Sequence, residues 1–340
     1  MDIFQDKGFI NTRMGFDLTK YSCKTDLHSR DFIGRGSFGT VYRATLSDLS
    51  YQSDEQPYQV AMKVIPMSED EVHQKYQKRE MDFFNGFYKK EEFGHPNIIQ
   101  YLGFIEYAVT RNHCIYMELC QRTLKTLIKD GLPEIEEDKR DYILHVAKGI
   151  CSGVNYLHQV GIIHRDIAPS NILLKDTHDT HLPTVKVADF NLYTIHDKNR
   201  REDQSHTADV GQLQYRAREV RMLMNGKRKA IYGCAADVWS TGTVIYEMAT
   251  GEKFNHLTEE EFWQGQLFRP DEKLGKLKDK ALSKFLSKCL QWESGLRARC
   301  HELSEDEYMV SRFSQGSIER RGCGVGQTSA LYSNYARIEE

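Results

Sequence analysis

The sequence predicts an α+β chain in two unequal lobes: a small antiparallel β-sheet with one principal helix, then a larger, mostly α-helical region. Three observations predict it. Between Phe32 and Leu119, short apolar runs alternate with polar residues and are broken by turn residues, the period of half-buried strands. Beyond Cys120 the apolar spacing lengthens to three and four residues, as on a buried helix face. The chain, at 340 residues, is long enough for an apolar core in each lobe.

The elements follow in chain order. Residues 1–29 are polar and without periodicity, and are expected as an irregular extension. Ile33, Val41 and Tyr42 flank a glycine-rich turn and read as a hairpin. Residues 46–58, polar and holding Pro57, are expected as a loop, and residues 59–65 as the next strand. A charged helix is predicted over roughly residues 69–88. Lys89-Lys90-Glu91-Glu92 then reads as a solvated insertion before His95-Pro96-Asn97. Residues 98–109 and 114–119 complete a predicted sheet of five strands. In the second lobe, Ile143, Val146, Ile150, Val154 and Leu157 mark a buried helix face over residues 138–159. Residues 238–250 form a core helix and 281–290 an amphipathic one. Residues 311–340, rich in Ser, Gly, Arg and Glu, are expected as a flexible tail. The domain boundaries are therefore 30–310, with lobes at 30–119 and 120–310.

Composition excludes some classes. With 46 basic and 49 acidic side chains the formal net charge is −3, which argues against a nucleic-acid binder or a membrane-surface protein. Met1-Asp2-Ile3-Phe4 lacks the basic start and apolar run of a signal peptide, and no stretch approaches the roughly 20 apolar residues of a membrane span. The 8 cysteines show no metal-ligand spacing, so they read as reduced thiols in a cytoplasmic or nuclear protein.

Chemistry enters with Gly34-Arg35-Gly36-Ser37-Phe38-Gly39-Thr40-Val41. Glycines let backbone amides approach phosphate oxygens with no Cβ in the way. A dinucleotide fold would place a helix directly after such glycines, whereas here a strand continues through Ala44. Val60-Ala61-Met62-Lys63 follows, a lysine ending an apolar strand beneath that turn. Such a lysine needs a carboxylate to hold it. Glu80 on the following helix is the candidate, since Glu69 and Glu71 sit at the helix start, where they favour the helix dipole.

The segment Ile163-His164-Arg165-Asp166-Ile167-Ala168-Pro169-Ser170-Asn171, with Ala188-Asp189-Phe190 after it, resembles the catalytic and metal loops of the eukaryotic protein kinases. The resemblance covers residues 32–308 in order. It implies the bilobal protein kinase fold and transfer of the γ-phosphoryl group of ATP to Ser or Thr hydroxyls of a protein substrate. Asp166 would accept or orient the hydroxyl proton, and Asn171 and Asp189 would hold Mg²⁺. Lys63, fixed by Glu80, would position the α- and β-phosphates. Ile33, Gly34, Gly36, Gly39, Val41 and Ala61 would enclose ATP, with Met117 as gatekeeper and backbone groups of Glu118 and Cys120 binding adenine. His164 would be a packing residue. Asp237 would brace the catalytic loop, and Arg297 would pair with Glu219. Tyr215-Arg216-Ala217 resembles the activation segment of cyclin-dependent and mitogen-activated kinases. That makes Thr207 the candidate regulatory phosphosite opposite Arg165, with Ser205 and Thr194 as alternatives. A regulatory protein partner is compatible with this resemblance, although the helix around residues 75–88 carries no recognisable cyclin-binding sequence.

Four positions depart from the family. Ala168 stands where a lysine would contact the γ-phosphate, and Ser170 supplies no substitute cation. Gln212 replaces the threonine that bonds to the catalytic aspartate and that lysine, so one altered local network is expected. Asn191 replaces the glycine after Asp189-Phe190, where tolerance of positive φ is expected to preserve the turn. Arg218 replaces a proline, a mild change. Losing a transition-state cation commonly costs a few kcal/mol, roughly 10²–10³ in rate, unless Arg35 or an activation-segment lysine supplies charge. The retained residues imply a competent but slow enzyme. Ala168, Gln212 and Asn191 support the alternative, a pseudokinase that binds nucleotide as a scaffold. A tyrosine kinase draws only on Ala168.

Overall fold

The computed structural model describes residues 10–12, 17–25, 30–36, 39–49, 57–88, 93–177, 180–195, 212–222, 233–254 and 270–311. Its first half is one antiparallel sheet. The strands are β1 (Ile10–Thr12), β2 (Tyr21–Lys24), β3 (Phe32–Arg35), β4 (Thr40–Asp48), β5 (Tyr58–Pro66), β6 (Tyr101–Tyr107) and β7 (Asn112–Glu118). They lie in the order β1-β6-β7-β5-β4-β2, with β3 also paired to β4.

The sheet thus has seven strands, not the five expected. The two extra strands come from the segment read as an irregular extension. β1 pairs with Ile105–Gly103 of β6, and β2 with Asp48–Thr45 of β4. Strands of three and four residues show no alternation of their own, and the open edges of the sheet recruit them through backbone hydrogen bonds. Leu18 between them is 2% exposed and Tyr21 meets Tyr58 edge-on, so the segment also joins the core. For the same reason β4 runs on to Asp48, past the point where a loop was expected.

Helix α1 (Glu71–Phe83) crosses the sheet and passes into a π-helical turn over Phe84–Tyr88. Phe83, Phe84, Tyr101 and Phe104 pack beneath it, all buried. Each large side chain fully removed from water contributes about 1.5–3 kcal/mol, so this aromatic cluster fixes the face that α1 turns toward the second lobe.

The second lobe is built on α2 (Glu136–Gln159), which buries Ile143, Val146, Ile150, Val154 and Leu157 as the spacing predicts. Beside it lies α3 (Cys234–Thr250), fully buried from Ala236 to Met248. Gly251 ends α3 at φ 76°, a left-handed cap that a side chain would strain. The helix Lys280–Cys289 is capped by Asp279, whose carboxylate accepts from Leu282 N at 3.0 Å. Among the described residues no helix is long and apolar enough to cross a membrane. Where the lobes meet, β8 (Ile172–Thr177) and β9 (Thr180–Val187) form a hairpin, and Ile98 bridges to Val187. The loops before β8 and after β9 carry the site.

Candidate functional site

The glycine turn lies between β3 and β4, and Ser37 and Phe38 fall outside the described residues. Its glycines serve different ends. A Cβ on Gly39 would sit 2.6 Å from Val64 O, so that position is closed by packing against β5. A Cβ on Gly34 would meet nothing within 4 Å, and one on Gly36 only Gly39 O at 3.9 Å. Those two leave bare backbone facing open space. Ile33 is 41% exposed, Val41 is half-buried, and Ala61 is buried on the adjacent strand.

Lys63 sits in β5, one strand further in. Its Nζ donates to Glu80 Oε2 at 2.7 Å and to Asp189 Oδ1 at 3.4 Å. Tyr101 Oη donates to Glu80 Oε1 at 3.1 Å, so both carboxylate oxygens are engaged. Burial works against the Lys63 ammonium, but the charges of Asp189 and Glu80 outweigh it and hold its pKa above the ordinary lysine value. Glu69 instead pairs with Arg111 at the surface, and Glu71 opens α1.

The catalytic-loop segment is hung from Asp237. This carboxylate, wholly buried, accepts from His164 N at 2.8 Å, Arg165 N at 2.9 Å and His158 Nε2 at 2.9 Å. Burial alone would raise its pKa; the His158 bond and charge reverse the shift and lower it. His164 is buried, bonds to Ala188 O through Nε2 at 3.0 Å and lies against Phe190, whose ring stacks on Phe83 at 4.0 Å. An aromatic column therefore links α1 to the loop holding Asp189.

Asp166 lies at the mouth of this loop. Its Oδ1 accepts from Gln212 N at 3.0 Å, and its Oδ2 and backbone carbonyl both accept from Asn171 Nδ2 at 2.8 Å. Gln212 Nε2 donates to Ser170 Oγ at 2.7 Å, and Ser170 Oγ donates to Asn171 Oδ1 at 3.2 Å. Asp166, Asn171, Ser170 and Gln212 thus close a ring of hydrogen bonds, and Ala168, in the same loop, is 0% exposed. Burial first, then the charge of Asp189, pushes the Asp166 carboxyl above the usual aspartate range.

Asn191 does not take the conformation expected of it. Positive φ falls on Asp189 (69°) and Arg165 (70°), and Asn191 is not among the positive-φ residues. The turn depends on the residue before Phe190, so the asparagine is free to use its side chain: Asn191 Nδ2 donates to Asp189 Oδ1.

At the strand leaving the sheet, Met117 is 7% exposed and Cys120 9%. Burial raises the Cys120 thiol to about 12, so it stays protonated and unreactive. Glu118 N–H is taken by Gln100 O, which leaves its carbonyl as the group for a hinge contact. The Glu118 carboxylate turns to the second lobe, meeting Lys186 at 2.7 Å and Lys175 at 2.9 Å. Sequence spacing gave no sign of these two lysines, of Tyr101, or of His158. Each reaches the site from a distant element.

On the far side, Arg297 forms a two-pronged pair with Glu219, Nη1–Oε1 at 2.6 Å and Nη2–Oε2 at 2.8 Å, and lies over the Trp239 ring. Arg218 pairs with Glu293 and covers Trp292. Tyr215 donates to Glu247 at 2.7 Å. Thr207 and Ser205 lie outside the described residues. Thr194 is half-buried in a two-residue strand paired to Ile162–Ile163. Arg165 is buried, with its Nε donating to Leu192 O.

Residues 27–309 match the family model of the protein kinase domain. The chain belongs to the protein kinase family. The chain is 29% identical over 301 residues to human mitogen-activated protein kinase kinase kinase 5, covering 86% of this chain and 20% of that one. It is 28% identical over 312 residues to the serine/threonine-protein kinase dst1 of Dictyostelium discoideum, covering 89% and 37%. It is 30% identical over 297 residues to mitogen-activated protein kinase kinase kinase 1b of Physcomitrium patens, covering 85% and 34%. The chain therefore spans only a fifth to about two-fifths of the length of these relatives.

Proposed function

We propose that the chain is a catalytically competent serine/threonine kinase that uses ATP and Mg²⁺. The observation that carries this reading is the engaged Lys63–Glu80 pair, which reaches Asp189 beside an Asp166 held on both carboxylate oxygens. Asp166 takes the proton of the acceptor hydroxyl while its oxygen attacks the γ-phosphorus, and the bridging P–O bond breaks toward ADP. Lys63 steadies the α- and β-phosphates. Gly34 and Gly36 bring no Cβ into the space those phosphates would take, the Gly36 N–H being donated to Gly39 O at 2.9 Å within the turn. Ile33, Val41 and Ala61 cover the adenine, which the Glu118 carbonyl and Cys120 backbone meet at the hinge.

The donor set fits Mg²⁺: Asp189 and Asn171 bring hard oxygen ligands. Among the described residues no group of three or more His, Cys, Asp and Glu gathers, so phosphate and water oxygens would complete the shell. When bound, the ion offsets charge building on the transferring phosphoryl group.

The Gln212–Ser170 bond supports competence without the lysine, because it ties the end of the activation segment to the catalytic loop and so holds Asp166. Ala168 supports the slower rate, since it brings no cation to the place of the family's lysine. We further propose that phosphorylation of Thr207 or Ser205 is read by Arg165, and that the substrate is protein. The free thiols among the described cysteines support a reducing compartment, cytoplasm or nucleus; a fluorescent fusion that enters the secretory route would overturn that placement.

The test of the enzyme reading is transfer of labelled γ-phosphate to a mixed protein substrate, with Asp166→Asn as control. Transfer lost in the variant supports the kinase. Equal background in both, with nucleotide binding intact and Thr207 phosphorylated, would leave the scaffold reading, which Ala168 and the Asn191–Asp189 bond favour.

A further inference from the structure

Asp189 offers two carboxylate oxygens, and they are not equivalent. Oδ1 accepts from Lys63 Nζ at 3.4 Å and also from Asn191 Nδ2. Among the described residues Oδ2 has no hydrogen-bond partner. A carboxylate oxygen carries about two lone-pair directions, so two donors leave Oδ1 little capacity for a cation. The orientation of the Asn191 amide is dictated by its neighbour: reversed, its oxygen would face the Asp189 oxygen across the same short gap. Asn191 is 1% exposed, and its own Oδ1 is buried with no hydrogen-bond partner among the described residues. The side chain has no path to water, and its one hydrogen bond is spent on Asp189. A glycine in this place would leave both carboxylate oxygens to metal.

The companion ligand is crowded as well. Asn171 spends Nδ2 on Asp166, and its Oδ1 receives the Ser170 hydroxyl at 3.2 Å. Gln212 Nε2 donates to that same Ser170 Oγ, which directs the serine proton toward Asn171. Mg²⁺ gives up water reluctantly and demands near-octahedral oxygen geometry, so an oxygen already facing donors is a poor bridging ligand.

We propose that Asn191 makes Asp189 a single-oxygen metal ligand, so that the cleft holds one divalent ion with its nucleotide rather than the two typical of protein kinases. Asn191 is in this sense a positioning residue: it sets how many ions bind and through which oxygen, without touching substrate. The inference rests on the nucleotide-binding reading above, and its test separates the two.

Mn²⁺ replaces Mg²⁺ as a spectroscopic probe. The full chain, saturated with a non-hydrolysable ATP analogue, is titrated with Mn²⁺, and bound ions per chain are counted by electron paramagnetic resonance. One ion is expected, and two in Asn191→Gly. Asn191→Ala, which removes the amide without loosening the backbone, is expected to behave as Asn191→Gly does. Two ions in the unmodified chain would overturn the inference while leaving the nucleotide reading standing. One ion in the unmodified chain and in both variants would overturn it equally. No nucleotide-dependent Mn²⁺ signal in any form would instead overturn the nucleotide reading, and this inference with it.

Discussion

Asp237→Asn tests how far the catalytic loop depends on one buried charge. The substitution keeps shape and volume, so no cavity term arises and the change is confined to hydrogen bonding and charge. Asp237 accepts three hydrogen bonds, two at Oδ2 from His164 N and His158 Nε2 and one at Oδ1 from Arg165 N. The amide keeps one acceptor. Its better orientation leaves the oxygen beneath His164 and His158 and turns the NH₂ toward Arg165 N, so that two donors face each other. An unsatisfied buried N–H costs about 1–3 kcal/mol, and the two surviving bonds lose about 1 kcal/mol each as they cease to be charge-assisted. Relief of the burial cost of the carboxylate offsets part of this. The net expectation is a loss of about 2–4 kcal/mol. With a urea dependence near 3 kcal/mol/M for a domain of this size, the midpoint falls by about 1 M at unchanged slope. Transfer activity should fall further than stability, because the Arg165 N–H anchors the residue next to Asp166. A midpoint within roughly 0.2 M of the parent at pH 7 would refute the view that Asp237 bears the loop.

Other perturbations follow from the same geometry. Arg297→Lys keeps the charge but cannot form the two-pronged bond to Glu219 or cover Trp239, and should cost about 2–3 kcal/mol in thermal or urea unfolding. Gln212→Thr alone breaks the bond to Ser170 and should lower kcat/KM about fivefold, the worth of roughly 1 kcal/mol. Ala168→Lys alone should bring no gain, since the position is fully buried, whereas the double variant should raise kcat/KM at least about tenfold; additive effects would contradict a single network. His158 has a pKa raised well above its ordinary value, burial opposing and the Asp237 bond prevailing. Its stabilising contribution is therefore full below about pH 6.5, the unfolded value, and declines as pH rises toward the folded one. The stability gap between the parent and His158→Gln should narrow over that range, and a gap that widens would reverse the assignment. Because the Asp166 carboxyl is pushed up, by burial before anything else, the acid limb of kcat/KM should lie above about pH 4. A limb at or below that value would show that Asp166 is not the group titrating.

Much of the site was legible in the linear chain because its residues sit in short, ordered motifs. Lys63, Asp166, Asn171 and Asp189 are each flanked by neighbours whose local conformation is part of the chemistry, so a few adjacent letters carry the signal. Glu80 was found from helix position alone, and the 2.7 Å contact with Lys63 is formed. Gln212 is bonded to Ser170 and Ser170 to Asn171, which joins the departing position 212 to the catalytic loop.

What the chain order by itself determined was the two-lobe α+β plan, the succession of buried helices and the set of reactive groups, since periodicity and local motif depend only on neighbours. Tertiary structure decided the rest. It drew Ile10–Thr12 and Tyr21–Lys24 into the sheet, because an open edge supplies the partners that such short segments lack. It chose Tyr101, His158, Lys175 and Lys186 to hold the site, from elements far apart in the chain. It also turned Asn191 from a tolerant backbone position into a donor on Asp189. A hydrogen bond of that kind depends on where two carboxylate oxygens point, and only the packed fold fixes their direction.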